Sequence, residues 1–589
     1  MMTRRIVRTI TQLGAALTFT FVVIFFLDRN YRVLPNAIHG YMPTHHPGLV
    51  ITDVTVVTCS SLNVFSSCDL DPTIWHRIDK ELYLGRAWTT TAYLYINRKH
   101  EEDLTSEDKV VMDISVGRLN PAQAQEGKAP KAEEWESRPG GLWIKRSGSK
   151  KSSDSDDVIT DVDVLFGDDA AEARDGWSII GTPLLLDTGG PLLSVHLSVR
   201  RGTPKERKKP EPRIKSNGKF KIMQIGDLHL SNGVGECREP VPDGYAGGKC
   251  EADPRTLDFV RKMLEEEKPD FVVLSGDQVN GDTAPDAPTA MFKIISLLIK
   301  HSIPYAGIFG NHDDEKTMSR GRQMALMETL PFSLSRAGPA DIDGVGNYYV
   351  EILARSGSHS AITMYLMDTH SYSPDERKYP GYDWLKPNQI EWFRKTASGL
   401  KKAHSEYSHA HMDIAFVHIP LTEYASPELP RVGEWKEGVT APVYNSGFRD
   451  ALVEQGVVMV SAGHDHCNDY CLLSLQNVTK PDSKGHPDQQ PPPQMQKPAL
   501  WMCYAGGVGF GGYAGYGGYV RRLRVFEIDT NVASITTWKR VEHGKTADRI
   551  DMQIIVDGGR PVPPPPPPPP SPSEKPPPPP PPPVQDIHE

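Results

Sequence analysis

Asp, His and Asn gather in five short clusters along this chain: Gly226-Asp227-Leu228-His229, Gly276-Asp277 with Asn280-Gly281, Gly310-Asn311-His312-Asp313, the single His418, and Gly463-His464-Asp465-His466. Carboxylate, imidazole and amide oxygen are donors for borderline and hard divalent cations, whereas a thiolate-rich set would point to structural zinc. One carboxylate can bridge two ions, and Asp277 is the natural bridge. Asp227, His229 and His466 then serve one ion, and Asn311, His418 and His464 the other. Mn, Fe, Zn and Mg all suit such donors. Two divalent ions roughly 3.5–4 Å apart can hold a bridging hydroxide and clamp a phosphoryl group for in-line displacement. His312, beside a ligand, is placed to act as general acid at the leaving oxygen or to stabilise phosphoryl charge. Asp313 is expected to orient its imidazole by a hydrogen bond.

The elements that must position these residues are legible as well. Each cluster follows an apolar run, in order KIMQI, FVVLS, YAGIF, MDIAFV and VVMVSA. Short apolar runs bounded by turn residues read as buried strands, and five of them would deliver their donors to one sheet edge, where open α/β sheets bind ligands. A lone Gly-Asp or Asp-x-His is common in turns, and Asn-His-Asp after a strand can cap a helix. The serial order after apolar strands is what promotes them, His418 included. Helical patterns alternate with the strands near PRTLDFVRKMLEEE, TAMFKIISLLIKH, PNQIEWFRKTASGLKKA and SGFRDALVEQ, with Pro254, Pro387 and Ser446 at their starts. His370 also follows an apolar run and is a candidate substrate contact. So are Tyr513 and Tyr516, in the glycine-rich GGVGFGGYAGYGG from Gly506. That segment lacks the Lys-Ser/Thr of a phosphate loop and reads as a close-packed lip over the metal site.

The order D-x-H, GD, GNHD, H, GHDH resembles the calcineurin-like metallophosphoesterase superfamily, which includes the purple acid phosphatases, over roughly residues 219–540. The segments MSRGRQMALMETLPFSLSRAGP, GYDWLKPNQIEWF, FVHIPLTEY and GHDHCNDYC are similar to the fungal dosage-dependent cell-cycle regulator phosphatases and to small purple-acid-phosphatase-like proteins of plants. The resemblance implies an α/β fold, the αββα sandwich, and a metal-dependent phosphatase acting on phosphate monoesters. The fungal relatives imply phosphoprotein substrates and the acid-phosphatase relatives small phosphomonoesters. Two other readings stand beside it: a phosphodiesterase or nuclease of the same superfamily, and a non-catalytic membrane scaffold. Purple acid phosphatases place a tyrosine three residues after the bridging aspartate, and its phenolate binds ferric iron. Asn280 occupies that position here, so no coloured tyrosinate is expected.

A chain of 589 residues leaves room for a second domain. Its net charge of −10 argues against a nucleic-acid partner; the basic RRGTPKERKKPEPRIK from Arg200 reads as a solvated linker over residues 201–218. Residues 50–200 are rich in β-branched, alternating runs and resemble the β-rich front domain of the fungal phosphatases, with a disordered insertion expected near 121–158. Arg4, Arg5 and Arg8 precede an apolar run, which gives a cytoplasmic N-terminus over 1–9, a transmembrane signal anchor over 10–27 and a luminal or extracellular remainder. Cys59 with Cys68, Cys237 with Cys250 and Cys471 with Cys503 are candidate bridges for that oxidising side, with Cys467 left over. Asn477 heads the single glycosylation sequon. The tail over 555–589 holds two runs of eight prolines, read as a stiff spacer.

Overall fold

The computed structural model describes residues 4–31, 48–60, 68–87, 89–121, 135–147, 153, 155–186, 193–204, 207–316, 318–478 and 495–564. The chain divides into two units, Met1–Arg207 and Lys208–Glu589.

The first unit begins with helix α1, Arg4–Tyr31. Thr11, Gln12, Gly14, Thr18 and Thr20 interrupt its apolar side chains. Among the described residues no helix is long and apolar enough to cross a membrane, a task that takes about 20 predominantly apolar residues. The spanning anchor expected over 10–27 is therefore not supported. The β-rich part follows the alternating runs. Strands β1 (Leu49–Ser60), β2 (His76–Glu81) and β3 (Thr90–His100) form one antiparallel sheet. Strands β4 (Val110–Val116), β5 (Trp135–Arg138) and β6 (Leu142–Ser147) form a second, and β7 (Ile159–Phe166), β8 (Trp177–Ile179) and β9 (Val195–Arg201) a third. Period-2 burial turns Val54, Val56, Leu94, Ile144, Val164 and Leu197 into one shared core. The disorder expected over 121–158 is thus overturned for residues 135–147. Pairing of β6 with β4, and of β5 with β6, makes strands of them, and Arg138 and Arg146 both bridge to Glu136.

The second unit carries two seven-stranded sheets. One holds β10 (Lys219–Ile225), β11 (Phe271–Ser275), β12 (Tyr305–Ile308), β20 (Arg522–Asp529), β21 (Ser534–Val541), β22 (Ile550–Asp557) and β23 (Arg560–Pro561), in the order β12-β11-β10-β20-β21-β22-β23. The other runs β13-β14-β15-β17-β19-β18-β16, from β13 (Tyr348–Leu353), β14 (Ser360–Leu366), β15 (Met412–Phe416), β16 (Arg431–Val432), β17 (Val457–Ala462), β18 (Cys471–Val478) and β19 (Met495–Tyr504). The sheets face each other: Ser461 Oγ on β17 donates to Gln224 Oε1 on β10 at 2.5 Å, and the rings of Phe416 and Phe526 lie 6.2 Å apart. Helices α2 (Ala252–Glu267) and α3 (Ala287–Lys300) flank the first sheet. Lys221 on β10 and Trp538 on β21 both reach Glu267 of α2, and Lys293 of α3 pairs with Asp253. Helix α4 spans Arg320–Thr329. Helix α5 (Pro387–Ser405) buries Ile390, Phe393 and Ala397 on one stripe, and Phe393 meets Tyr365 of β14 and Phe448 of α6 (Phe448–Gln455). These layers are the αββα arrangement.

The first sheet runs past residue 540, where the sequence reading ended the catalytic domain, because β22 and β23 continue it to Pro561. The three expected disulfides are formed and Cys467 is buried and free. Asn477 is exposed at the end of β18; Thr479 and the proline runs beyond residue 564 lie outside the described residues.

Candidate metal centre

The C-terminal ends of β10, β11, β12, β15 and β17 meet at one edge, and each delivers one donor cluster. The loops after β10 and β11 are laced by backbone bonds, Asp227 N to Gly276 O at 3.0 Å and His229 N to Asp277 O at 2.9 Å. Asp227, His229, Asp277 and His464 all take left-handed backbone, with φ from +46° to +77°. Such conformations are costly for residues with a Cβ and gather at functional sites. Close approach dictates Gly310, where a Cβ would lie 2.1 Å from Asp277 Oδ1.

All seven expected donors are buried and converge. Asp227, His229 and His466 form one group, and Asp277, His418 and His464 another, with ligand atoms in each group within 4.8 Å of one another. Asn311 Oδ1 joins the second at 3.3 Å from His418 Nε2. Asp277 Oδ2 lies 3.2 Å from His418 Nε2 and 3.8 Å from His229 Nε2, between the two groups. The tautomers suit metal binding: Ser275 O holds His418 Nδ1 at 2.9 Å and Tyr513 O holds His466 Nδ1 at 2.7 Å, so both Nε2 atoms face the centre. His229 Nε2 and His466 Nε2 oppose each other at 3.1 Å. Asp227 Oδ2 and His464 Nε2 are buried without a hydrogen-bond partner. Buried orphaned donors of this kind fit divalent cations.

The electrostatics agree. Burial, reinforced by neighbouring imidazoles, holds His229 and His464 well below the ordinary histidine range, leaving them neutral. Asp277 stays well below the usual carboxylate range, since the surrounding histidines outweigh its burial. His418 runs the other way: against burial, the Asp277 carboxylate 3.2 Å away pushes it up to about 9, favouring a proton at Nε2 that a bound cation would replace.

His312 lines a cavity of about 240 Å³ in front of these donors, together with His229, Asp277, His464 and His466. Its partner is not the expected Asp313. Glu315 Oε1 takes His312 Nδ1 at 2.9 Å. Burial opposes the charge on His312, but Asp277 and Glu315 prevail and push it up to about 9. Asp313 instead accepts backbone N–H groups from Gly310, Asp277 and Val279 at 2.7, 2.9 and 3.1 Å, tying the loops after β11 and β12 together. Burial and Asp277 raise it to about 7. The sequence offered three successive carboxylates after His312, and only the third, Glu315, stands at the spacing that reaches its ring.

His370 is corrected too. Its Nε2 bonds Gln389 Oε1 at 2.7 Å, it does not line the cavity, and it serves the loop that Arg320 clamps through Asp368 and His370 O. Tyr513 does line the cavity, stacked on His466 at 4.0 Å with its hydroxyl accepting from His466 N at 3.2 Å. The side chain of Tyr516 lies outside the described residues. The glycine-rich segment packs as a lip: a Cβ on Gly509 would lie 1.8 Å from Leu228 O, and one on Gly512 2.5 Å from His466 Cε1.

Several cavity residues had no sequence signal. Arg238, exposed beside the Cys237–Cys250 bridge, brings a cation to the cavity wall. Tyr382 sets its ring edge-on to His464 at 4.3 Å. Glu437 accepts from Cys467 N at 2.6 Å and Thr440 bonds Asp465, fixing the loop that bears His464 and His466.

A profile of the calcineurin-like phosphoesterase family matches residues 220–468. Phosphatase DCR2 of Saccharomyces cerevisiae is 37% identical over 425 residues, covering 68% of this chain and 68% of that protein. Probable inactive purple acid phosphatase 29 of Arabidopsis thaliana is 33% identical over 368 residues, 58% of this chain and 87% of that one. Among solved structures, a dimetal phosphatase from Danio rerio aligns at 14% identity and a TM-score of 0.36, over 57% of this chain and 98% of that chain. With its donors at the sheet edge, the family profile and the yeast relative, the chain belongs to the calcineurin-like phosphoesterases, a family that works with divalent metal ions.

Proposed function

We propose that this protein is a phosphatase hydrolysing phosphate monoesters at a dinuclear metal centre. The observation that carries the reading is Asp277 Oδ2 standing between two donor groups that are each complete. Asp227, His229 and His466 would hold one ion and Asn311, His418 and His464 the other. When bound, such a pair lowers the pKa of water and neutralises phosphoryl charge. The chain's own residues do the rest. Arg238 meets the phosphate at the cavity wall, Tyr382 and Tyr513 limit water around His464 and His466, and His312 delivers its proton to the leaving oxygen. Glu315 at Nδ1 orients the ring so that Nε2 carries that proton. The relative named a phosphatase supports the class of bond. Glu315, His312 and the full donor set support activity in this chain, although three plant relatives are named inactive purple acid phosphatases.

The test is a rate comparison on purified full-length protein reloaded with Mn, Zn, Mg or Fe(II). A phosphopeptide and a sugar phosphate should turn over, while bis-para-nitrophenyl phosphate should lag by at least about 10²-fold. Faster cleavage of the diester would replace the monoesterase reading with a phosphodiesterase, and no turnover with any metal would leave a binding protein.

We also propose an oxidising compartment, luminal or extracellular, on the support of the three disulfides. A glycosidase-sensitive gel shift that vanishes in Asn477→Gln is expected; wild-type protein without such a shift would count against it.

A further inference from the structure

The segment between β14 and α5 carries two tyrosines to the mouth of the metal cavity. Residues 371–383 fold back on themselves: Ser373 N donates to Gly381 O at 2.8 Å and Asp383 N to Ser371 O at 3.0 Å. These bonds flank Tyr372 and Tyr382, which lie directly opposite each other. In antiparallel pairing such a non-hydrogen-bonded pair shares one face and brings its side chains closest. The two rings accordingly stack, with centroids 5.6 Å apart and 24° between their planes.

Both ends of this ring pair are fixed to the chemistry. Tyr382 lines the cavity and sets its ring edge-on to His464 at 4.3 Å. Tyr372 Oη donates to Glu315 Oε1 at 3.1 Å, and that same oxygen holds His312 Nδ1 at 2.9 Å. Ser371 Oγ donates to Asn311 O at 3.3 Å and Asn311 Nδ2 reaches Tyr372 Oη at 3.4 Å, which ties the fold-back to the loop bearing His312. The pair thus spans from a metal-binding imidazole to the acid that protonates the leaving oxygen. Tyr372 is 45% exposed, so its ring is spent at the mouth and not in the core.

The leaving oxygen must come within hydrogen-bond reach of His312, roughly 2.6–3.2 Å. Whatever group that oxygen carries therefore leaves the cavity alongside Tyr372 and Tyr382. Arenes favour aromatic neighbours, offset or edge-on, at ring centroids about 4.5–7 Å apart.

On the monoesterase reading, we propose that Tyr372 and Tyr382 select an aryl leaving group, so that the substrates are phosphate monoesters of phenols, the phosphotyrosyl side chain among them. Water oxygen forms the new bond to phosphorus and the bond from phosphorus to the phenolic oxygen breaks. That oxygen takes the His312 proton, which water restores, and a phenol and inorganic phosphate result.

The test compares phenyl phosphate with hexafluoroisopropyl phosphate on full-length, metal-loaded protein; the two alcohols are similarly acidic, so the ring is what separates them. The ratio of kcat/KM should favour phenyl phosphate by about 3- to 10-fold. Tyr382→Leu should bring that ratio near one and Tyr382→Phe should keep it, while Tyr372→Phe should lower kcat for both esters alike by freeing Glu315. A phosphotyrosine peptide turned over faster than phenyl phosphate names a protein side chain as the source of the arene, and a slower one a small aryl ester. Binding of phenylphosphonate against cyclohexylphosphonate repeats the comparison without bond cleavage, and its preference too should vanish in Tyr382→Leu. Equal kcat/KM for the two esters in the wild type, or a preference that survives Tyr382→Leu, would overturn the selection and leave the monoesterase standing. No turnover of either ester with phenylphosphonate still preferred would remove the monoesterase and keep the aryl site.

Discussion

Glu315 and His312 are three residues apart and joined through Oε1 and Nδ1 at 2.9 Å, with Tyr372 Oη donating to the same carboxylate oxygen at 3.1 Å. The pair separates two duties that a glance at Asn311-His312-Asp313 would merge. Glu315 sets the ring, and Asp313 sets the loops. His312→Ala should lose roughly 10²–10⁴-fold in kcat with metal content intact, and Glu315→Gln about 10- to 100-fold. Asp313→Ala should instead lower the melting temperature and metal content together. Equal kinetic losses in the Glu315 and Asp313 variants at unchanged metal content would contradict this division.

Asp277 is shared by both donor groups. Asp277→Asn should therefore cost both ions and nearly all turnover, whereas His466→Ala should weaken one ion first. Metal analysis beside kinetics distinguishes the two, and a chelator should reproduce the Asp277→Asn phenotype in the wild type.

Gly512 leaves no room for a side chain. A Cβ there would sit 2.5 Å from His466 Cε1 and 2.6 Å from His229 Cδ2. Gly512→Ala should push both imidazoles off their positions and reduce metal affinity by at least about 10-fold, read by titration with zinc. Gly399 in α5, whose Cβ would meet nothing within 4 Å and whose φ is not positive, is the control for added bulk.

Asn280 is held by its own loop, accepting from Asp282 N at 3.1 Å and donating to Gly511 O at 3.2 Å. With no phenolate at this place, the metal-replete protein should lack an intense visible band, ferric iron included. A purple preparation would refute this.

How much of this could be read beforehand divides along physical lines. The seven donors were legible because side-chain chemistry and apolar strand runs are both written in residue types. Asp313 was misread because its three partners are backbone N–H groups, which every sequence possesses and none displays. Residues 135–147 were missed because β5 and β6 are short and half polar, and become strands through the register of β6 with β4 and of β5 with β6. Arg238 enters the cavity by tertiary folding of a disulfide-closed loop, a placement no local pattern encodes.

Asp469 is fully buried against Lys539, 2.6 Å away, and Arg522. Although burial raises its pKa, Lys539 and Arg522 overcome this and lower it to about 2. A carboxylate depressed in the folded state stabilises above its unfolded pKa of about 3.9 and loses that contribution as pH falls towards 2, here roughly 2.5 kcal/mol. Asp469→Asn removes the anion shared by Lys539, which keeps Asp551, and Arg522, which keeps Glu434, and should cost roughly 1.5–3 kcal/mol near neutrality. The gap between mutant and wild-type melting temperatures should narrow between pH 4 and pH 2; a constant gap would rule out the ion pairing as its source.

The pairing of β10 with β20 has a temporal consequence. Ile222 lies opposite Phe526, so about 300 residues must be synthesised before β10 gains its second neighbour. At about 5–20 residues per second this takes roughly 15–60 s. Every donor, from Asp227 to His466, leaves the ribosome before β20 is made. Until then β10 pairs with β11 on one side and presents an open edge on the other, a template for mispairing, and the strand that carries Asp227 and His229 is held on one side alone. A nascent chain that ends between residues 466 and 522 carries all seven donors while β10 still lacks β20, so the chemistry is complete before the sheet that positions it.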